Sequence, residues 1–278
     1  MRRERIAEDI FVFTSDLYAQ VTAGAVLTKE GAIVIDTLPF PQEAAELKAF
    51  VQRHNRQGIR YVINSHHHAD HVYGNYLFPE AELLSHEQCR KALIRNGQRG
   101  LDKAKSQTPA LADVRLRIPD VVFDRGELIV HLGSKSVHMM LTPGHTDDSI
   151  SILVKEDKVL FAADTVMPVP YIVFGDTESM IDSLKRLSSL AVDTIVQGHG
   201  EVLLRGEVTE AFETSIRYLD TIQERVQAAV RSGASKESLQ RIGIEECGKS
   251  RIPLNGLVQQ LHLANLLHLY DQYSAQKA

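Results

Sequence analysis

The segment Asn64-Ser65-His66-His67-His68-Ala69-Asp70-His71 holds four of the chain's 12 histidines and one carboxylate, in the pattern H-x-H-x-D-H. His66 and His68 are two residues apart, so on extended backbone they point the same way and His67 points away. Asp70 and His71 follow where the chain turns toward a helix, and they aim at a second, nearby spot. His66, His68 and His71 with Asp70 form a ligand set for borderline metals such as zinc. A merely solvated polar loop or a histidine tag needs neither the Asp nor the apolar strand Tyr61-Val62-Ile63 that leads into this run.

Three other places repeat one arrangement, in which a strand ends and a potential ligand follows. Met139-Met140-Leu141 leads into Thr142-Pro143-Gly144-His145, Val159-Leu160-Phe161 into Ala162-Ala163-Asp164, and Thr194-Ile195-Val196 into Gln197-Gly198-His199-Gly200. Singly, each has a bland explanation, such as a loop histidine or an Asp that caps a turn. Together they place His, Asp and His at strand ends, where functional residues collect on sheet scaffolds.

Across about residues 10–200 these four motifs, in this order, resemble the metallo-β-lactamase superfamily. The resemblance implies that His66, His68 and His145 bind one metal, that Asp70, His71 and His199 bind a second, and that Asp164 bridges them. It implies two divalent ions, zinc first, with Fe or Mn as alternatives. Two metals about 3.5–4 Å apart can share a hydroxide and lower the pKa of water toward ~7. Asp70 is then the expected catalytic group, which orients that hydroxide or shuttles its proton. Imidazole ligands usually donate their other N–H to an outer carboxylate. Asp36, at the end of Ile33-Val34-Ile35, is the candidate, and the resemblance supports an acid there.

Two apolar, proline-stiffened loops, Thr37–Phe40 and Met167–Phe174, are the expected walls of a substrate pocket, with Phe40, Met167, Tyr171 and Phe174 lining it. Tyr18 and Tyr171 are candidate donors to a developing oxyanion. Within the superfamily, His68 disfavours the diiron flavoproteins, which carry Glu there, and Asp164 disfavours the zinc β-lactamases. Glyoxalase II is similar at the metal centre, but its basic glutathione-binding signature is absent from the C-terminal part. The expected function is a metal-dependent hydrolase that cleaves an ester, lactone or thioester-type acyl bond. The alternatives are a mononuclear iron persulfide dioxygenase on the same fold, a zinc β-lactamase-like amide hydrolase, and a non-enzymatic role.

These residues need a scaffold that delivers them from strand ends. Short apolar runs predict strands at Ile10–Phe13, Ala19–Leu27, Ala32–Ile35, Tyr61–Ile63, Leu83-Leu84, Val121–Phe123, Glu127–Leu132, Ser136–Leu141, Ser149–Val154, Val159–Ala162 and Thr194–Val196. Helical spacing predicts helices from Pro41 to His54, Gln88 to Asn96 with a stop at Gly97, and Glu178 to about Leu190. From Val208 the pattern is helical, with Phe212, Ile216, Leu219, Ile222 and Val226 on one face; Ser235–Arg241 and Leu254–Tyr273 continue it. Residues 100–113 are ambiguous. Two sets of strands, each followed by helices, predict an α/β chain arranged as a four-layer αββα sandwich. The expected division is residues 1–206 for the sandwich and 207–278 for a C-terminal helical extension packed on it.

Composition narrows the partners. The chain has 278 residues, 31 Lys+Arg against 36 Asp+Glu, and a net charge of −5. That balance argues against a nucleic-acid partner, since such proteins show a basic surplus or stripe. No run approaches the ~18 apolar residues of a membrane span. The charged start has no apolar stretch behind it that would make it a secretory signal, and two distant cysteines suggest no disulfide framework. The expectation is a cytoplasmic protein with a small-molecule acyl substrate, and a homo-oligomer formed through the amphipathic C-terminal helices. His262 and His268 are expected to be packing or surface residues, His131 and His138 strand residues, and Cys89 a small core residue.

Overall fold

The structure is a computed structural model that describes residues 1–277. In chain order the elements are β1 (Arg2–Ala7), β2 (Ile10–Thr14), β3 (Thr22–Thr28), β4 (Gly31–Ile35), α1 (Pro41–His54), β5 (Ile59–Ile63), α2 (Ala69–Val72), β6 (Glu82–His86), α3 (Glu87–Ala92) and α4 (Gln98–Gln107). Then follow β7 (Val121–Phe123), β8 (Glu127–Leu132), β9 (Lys135–Leu141), β10 (Ile150–Val154), β11 (Val159–Ala163), α5 (Thr177–Ser188), β12 (Thr194–Gln197), β13 (Val202–Leu204), α6 (Val208–Ser232) and α7 (Val258–Lys277). The first seven strands form one sheet in sequence order, and the other six form a second in the order β13-β12-β11-β10-β9-β8.

The central strands are apolar on both faces because each sheet is covered twice. In β4, Ile33 and Ile35 point inward and meet Ile152 and Phe161 of the second sheet, while Val34 points outward onto Leu47 and Phe50 of α1. In β11 the alternation is the same: Phe161 faces the first sheet, while Leu160 and Ala162 face Leu184 of α5, Leu219 of α6 and Leu266 of α7. The result is the four-layer αββα sandwich. Phe212, Leu219, Ile222 and Val226 of α6 are buried in that outer layer. The stripe that suggested a homo-oligomer is thus used within the chain.

Several elements depart from the sequence expectations. The charged Arg2–Ala7 run forms an edge strand antiparallel to β2, where charge guards an open edge. The strand expected from Ala19 starts at Thr22, because Ala19 and Gln20 have φ of 43° and 52° and turn the chain. Gly97 does not stop its helix: it is right-handed helical (φ −60°), and a Cβ there would lie 2.8 Å from Leu116. The glycine lies against the tip of the Leu116 side chain within a continuing helix and is not a cap. The ambiguous 100–113 region is mostly α4 followed by a 3₁₀ turn at Pro109–Leu111. Ser235–Arg241 is a 3₁₀ turn over Lys236–Arg241. The expected start of the last helix, Leu254-Asn255, has φ of 53° and 55°, so α7 begins at Val258. No helix among the described residues is long and apolar enough to cross a membrane.

The two sheets are tied together at one end. Thr22 N–H donates to the Gly198 carbonyl at 2.9 Å, and Thr22 Oγ1 donates to the Gln197 carbonyl at 2.6 Å. Val21 and His199 form a bridge there. The singled-out residues collect at this end.

Candidate metal centre

Seven side chains converge. Ligand-capable atoms of His66, His68, His145 and Asp164 lie within 4.8 Å of one another, and those of Asp70, His71 and His199 form a second such group. Asp164 stands between the two: its Oδ2 is 3.2 Å from His145 Nε2 and 3.9 Å from His66 Nε2, and its Oδ1 is 3.3 Å from His71 Nε2. Asp70 Oδ2 is 3.3 Å from His199 Nε2. The two sheets share the work. β5 and the turn into α2 deliver residues 66–71, while the loops after β9, β11 and β12 deliver His145, Asp164 and His199.

The backbone is shaped for this. Gly198 is required beside His199, since a Cβ there would fall 1.9 Å from Asp164 Oδ1. Ala163 and Asp36 hold φ of 46° and 55°, a conformation that non-glycine residues seldom adopt and that gathers at functional sites.

Three of the rings are held from their far side. Asp36 Oδ2 accepts from His71 Nδ1 at 2.8 Å and from Ser65 Oγ at 2.6 Å. The Tyr171 carbonyl accepts from His145 Nδ1 at 2.8 Å, and the Ala19 carbonyl from His199 Nδ1 at 3.0 Å. His68 is turned the other way and brings Nδ1 to 3.0 Å from His145 Nε2.

Four buried side-chain polar atoms among the described residues have no hydrogen-bond partner. Three of them are His66 Nε2, His71 Nε2 and Asp164 Oδ1, all in this cluster. Unpaired buried polar atoms are costly, and their concentration at one point fits cations that would satisfy them. The donors are imidazole nitrogens and carboxylates only, a set that suits zinc and neighbouring divalent metals.

Electrostatics agree. Burial holds His66 well below its ordinary value, and burial with the nearby His145 takes His68 to about 3, so both keep lone pairs free. Burial opposes charge on His199 too, but Asp164 and Asp70 outweigh it and raise the ring to about 10. His71 is raised in the same way against burial by Asp164, Asp36 and Asp70. Burial would raise Asp70, yet His71 and His199 bring it to about 2. Where two carboxylates meet in the interior, positive charge is required, and protons on these rings stand where cations would.

A cavity of about 300 Å³ opens onto the cluster, lined by Tyr18, Met167, Tyr171 and Phe174 as well as by His68 and Asp70. Phe40 is a correction: it packs against the Val72–Tyr73 cluster and is not in that lining. Its loop instead supports the core and the His71 backbone. Leu38 is fully buried against α1, and Thr37 Oγ1 donates to the His71 carbonyl at 3.1 Å. Another wall is one the sequence reading missed, Leu254, Leu257 and Leu261 from the C-terminal part. Asp148 was also missed. It accepts from His67 N–H and lies 2.8 Å from His67 Nδ1, which turns that ring out of the cluster. Nothing in the order of residues marks Asp148 off from Asp147.

Three comparisons bear on kinship. A hydroxyacylglutathione hydrolase of Methylococcus capsulatus is 31% identical over 191 residues, which is 64% of this chain and 62% of that protein. One from Rhodopseudomonas palustris is 33% identical over 153 residues, 54% of this chain and 51% of that one. The chain thus spans between half and two thirds of the length of these curated relatives. Among solved structures, a metallo-beta-lactamase from Pontibacter korlensis superposes with a TM-score of 0.63 at 18% identity, covering 76% of this chain and 98% of that one. The sec-alkylsulfatase Pisa1 from a Pseudomonas species superposes with a TM-score of 0.75 at 15% identity, covering 98% of this chain and 50% of its own. The second likeness runs through the C-terminal helices. A sequence profile described as the metallo-beta-lactamase superfamily matches residues 18–199, the span that carries all seven converging side chains. With the sandwich and the strand-end donors already in place, that match means the chain belongs to the metallo-β-lactamase superfamily.

Proposed function

We propose that this chain is a dinuclear metal-dependent hydrolase of an acyl substrate, with a thioester or other activated ester first among its bonds. The observation that carries the reading is the position of Asp164 between two groups of donors, each of which contains one buried nitrogen, His66 Nε2 or His71 Nε2, without a hydrogen-bond partner. The relatives named hydroxyacylglutathione hydrolase support the thioester. His66, His68 and His145 would hold one ion; Asp70, His71 and His199 would hold the second, with Asp164 shared. Divalent cations held there would lower the pKa of water toward ~7 and polarise an acyl carbonyl.

The chain's own residues supply the rest. Asp70 borders the cavity as an anion and orients the attacking water by accepting its hydrogen bond. Tyr18 is raised above its ordinary value by the Asp70 charge and then by burial, and Tyr171 is raised by burial. Both phenols stay protonated and donate to the acyl oxygen as charge develops on it. Phe174 and Met167 pack against the acyl group and exclude bulk water. Cys89 and Cys247 are buried and unpaired, which suits a reducing compartment such as the cytoplasm.

The test is metal content on protein purified without added metal, beside a panel of thioesters, esters, lactones, a β-lactam and a persulfide. Two zinc ions per chain with thioester, ester or lactone turnover is the expected result. One iron per chain with oxygen uptake on the persulfide overturns it.

A further inference from the structure

We propose that a second cavity, next to the metal-ligand cluster, is a subsite for a carboxylate-terminated arm of the substrate, anchored by Lys249; this rests on the hydrolase reading above. The cavity holds about 620 Å³, against about 300 Å³ for the one that opens onto the ligands. The two share Met167 and Leu254 as a common wall. Gln197 and Gly200, on either side of the Gly198-His199 pair, line the larger chamber, while His199 itself lines the smaller. One molecule can therefore place its acyl bond at the ligands and its remaining chain across Met167.

The walls are suited to such a chain. Met167, Pro168, Leu203 and Leu254 offer apolar surface to a hydrocarbon linker. Lys249 supplies a single cation at the wall. Its Nζ donates to Thr214 Oγ1 at 3.1 Å and Ser215 Oγ at 3.0 Å, both on α6. An ammonium has three donors, so these neutral hydroxyls leave one over. Glu201, the acid that lines the chamber, is exposed and faces Arg2 at 3.4 Å. Glu210 acts on Lys249 only at a distance. Burial is the larger influence and lowers the amine to about 8, so most of it is charged at neutral pH. A largely buried cation whose hydrogen-bond partners are neutral hydroxyls is incompletely compensated, and a ligand carboxylate at the third donor supplies what is missing.

The test uses the full chain with its metals bound and calorimetry with 5-(hexylthio)pentanoate and its carboxamide. Wild type should bind the carboxylate about ten-fold more tightly than the amide, the scale of one hydrogen bond to a charged group. Lys249→Met should abolish that preference and leave amide binding and metal content unchanged, and Lys249→Arg should retain it. Lys249→Gln gives the same reading should the Met variant not fold. No preference in wild type, or a preference that survives in Lys249→Met, overturns the subsite. The thioether is not hydrolysed. A chain that shows the preference but turns over no acyl substrate refutes the hydrolase reading alone, and active protein without the preference refutes the subsite alone.

Discussion

The Nδ1 of His71 lies 2.8 Å from Asp36 Oδ2, while Nε2 of the same ring has no hydrogen-bond partner and points at Asp164 Oδ1, 3.3 Å away. A carboxylate on one nitrogen fixes the ring so that the other presents its lone pair to the site. Asp36→Asn keeps the volume and weakens that constraint. Metal affinity should fall by about 10–100-fold, measured by competition with a chromogenic chelator. An unchanged affinity sinks the assignment.

Asp164 touches donors of both groups, so its loss should not be confined to one ion. Asp164→Ala should lower hydrolysis by more than about a hundred-fold, since even outer partners of metal sites cost 10–100-fold. Metal analysis of the purified variant should give fewer than two ions per chain. Full metal content with full activity is the outcome that contradicts the scheme.

His67 and Asp148 separate orientation from ligation. His67→Ala should retain its metals and stay within about threefold of wild-type activity, because the ring faces Asp148. Asp148→Ala should be worse. It leaves the His67 N–H without its acceptor and costs about 1–3 kcal/mol. Thermal melts with metal titration distinguish the two, and equal behaviour argues against the clamp.

The C-terminal helices reach the site through Asn265. Its Oδ1 accepts from Ile172 N–H at 3.1 Å, and its Nδ2 donates to the Pro170 carbonyl at 2.7 Å and to Tyr218 Oη at 3.2 Å. Between those two loop residues, the Tyr171 carbonyl holds His145. Asn265→Ala should cost about 2–4 kcal/mol from the unpaired loop groups. It should also reduce metal affinity roughly ten-fold. Denaturant melts and chelator competition measure both, and a stability loss with unaltered metal binding refutes the link.

Lys249 should leave a pH signature in stability. Its amine falls from an ordinary 10.5 to about 8 in the folded chain, mainly through burial. Between those values the unfolded chain binds the additional proton, so folding becomes more favourable as pH rises through the window. The penalty is full below about pH 8 and gone above 10.5. The difference in unfolding free energy between wild type and Lys249→Met should therefore change by roughly 2 kcal/mol across that range, after allowance for solvent screening. A flat difference shows that the amine titrates normally.

The strand-end motifs, the apolar runs of β4 and β11, and the helical face of α6 could all be read in the sequence because each is a local pattern. What escaped depended on distant contacts. Phe40 looked like a pocket residue because it is apolar, proline-flanked and near a strand end, but α2 and its neighbours draw it into their own cluster. Gly97 looked like a helix stop because glycine so often ends helices, but here it is right-handed and the helix runs on against Leu116. The wall formed by Leu254, Leu257 and Leu261 could not be read at all, since the turn before the last helix and the first turn of that helix meet the cavity only through the way the C-terminal part packs on the sandwich.

The division of donors between the sheets sets an order in time. During synthesis, residues 66–71 emerge with the first sheet, but His145, Asp164 and His199 arrive only with the second, and Asn265 later still. A ribosome-bound chain thus carries four of the seven donors long before the rest exist. The full donor set therefore needs both sheets, and the loop that holds His145 is anchored only once the last helix is in place.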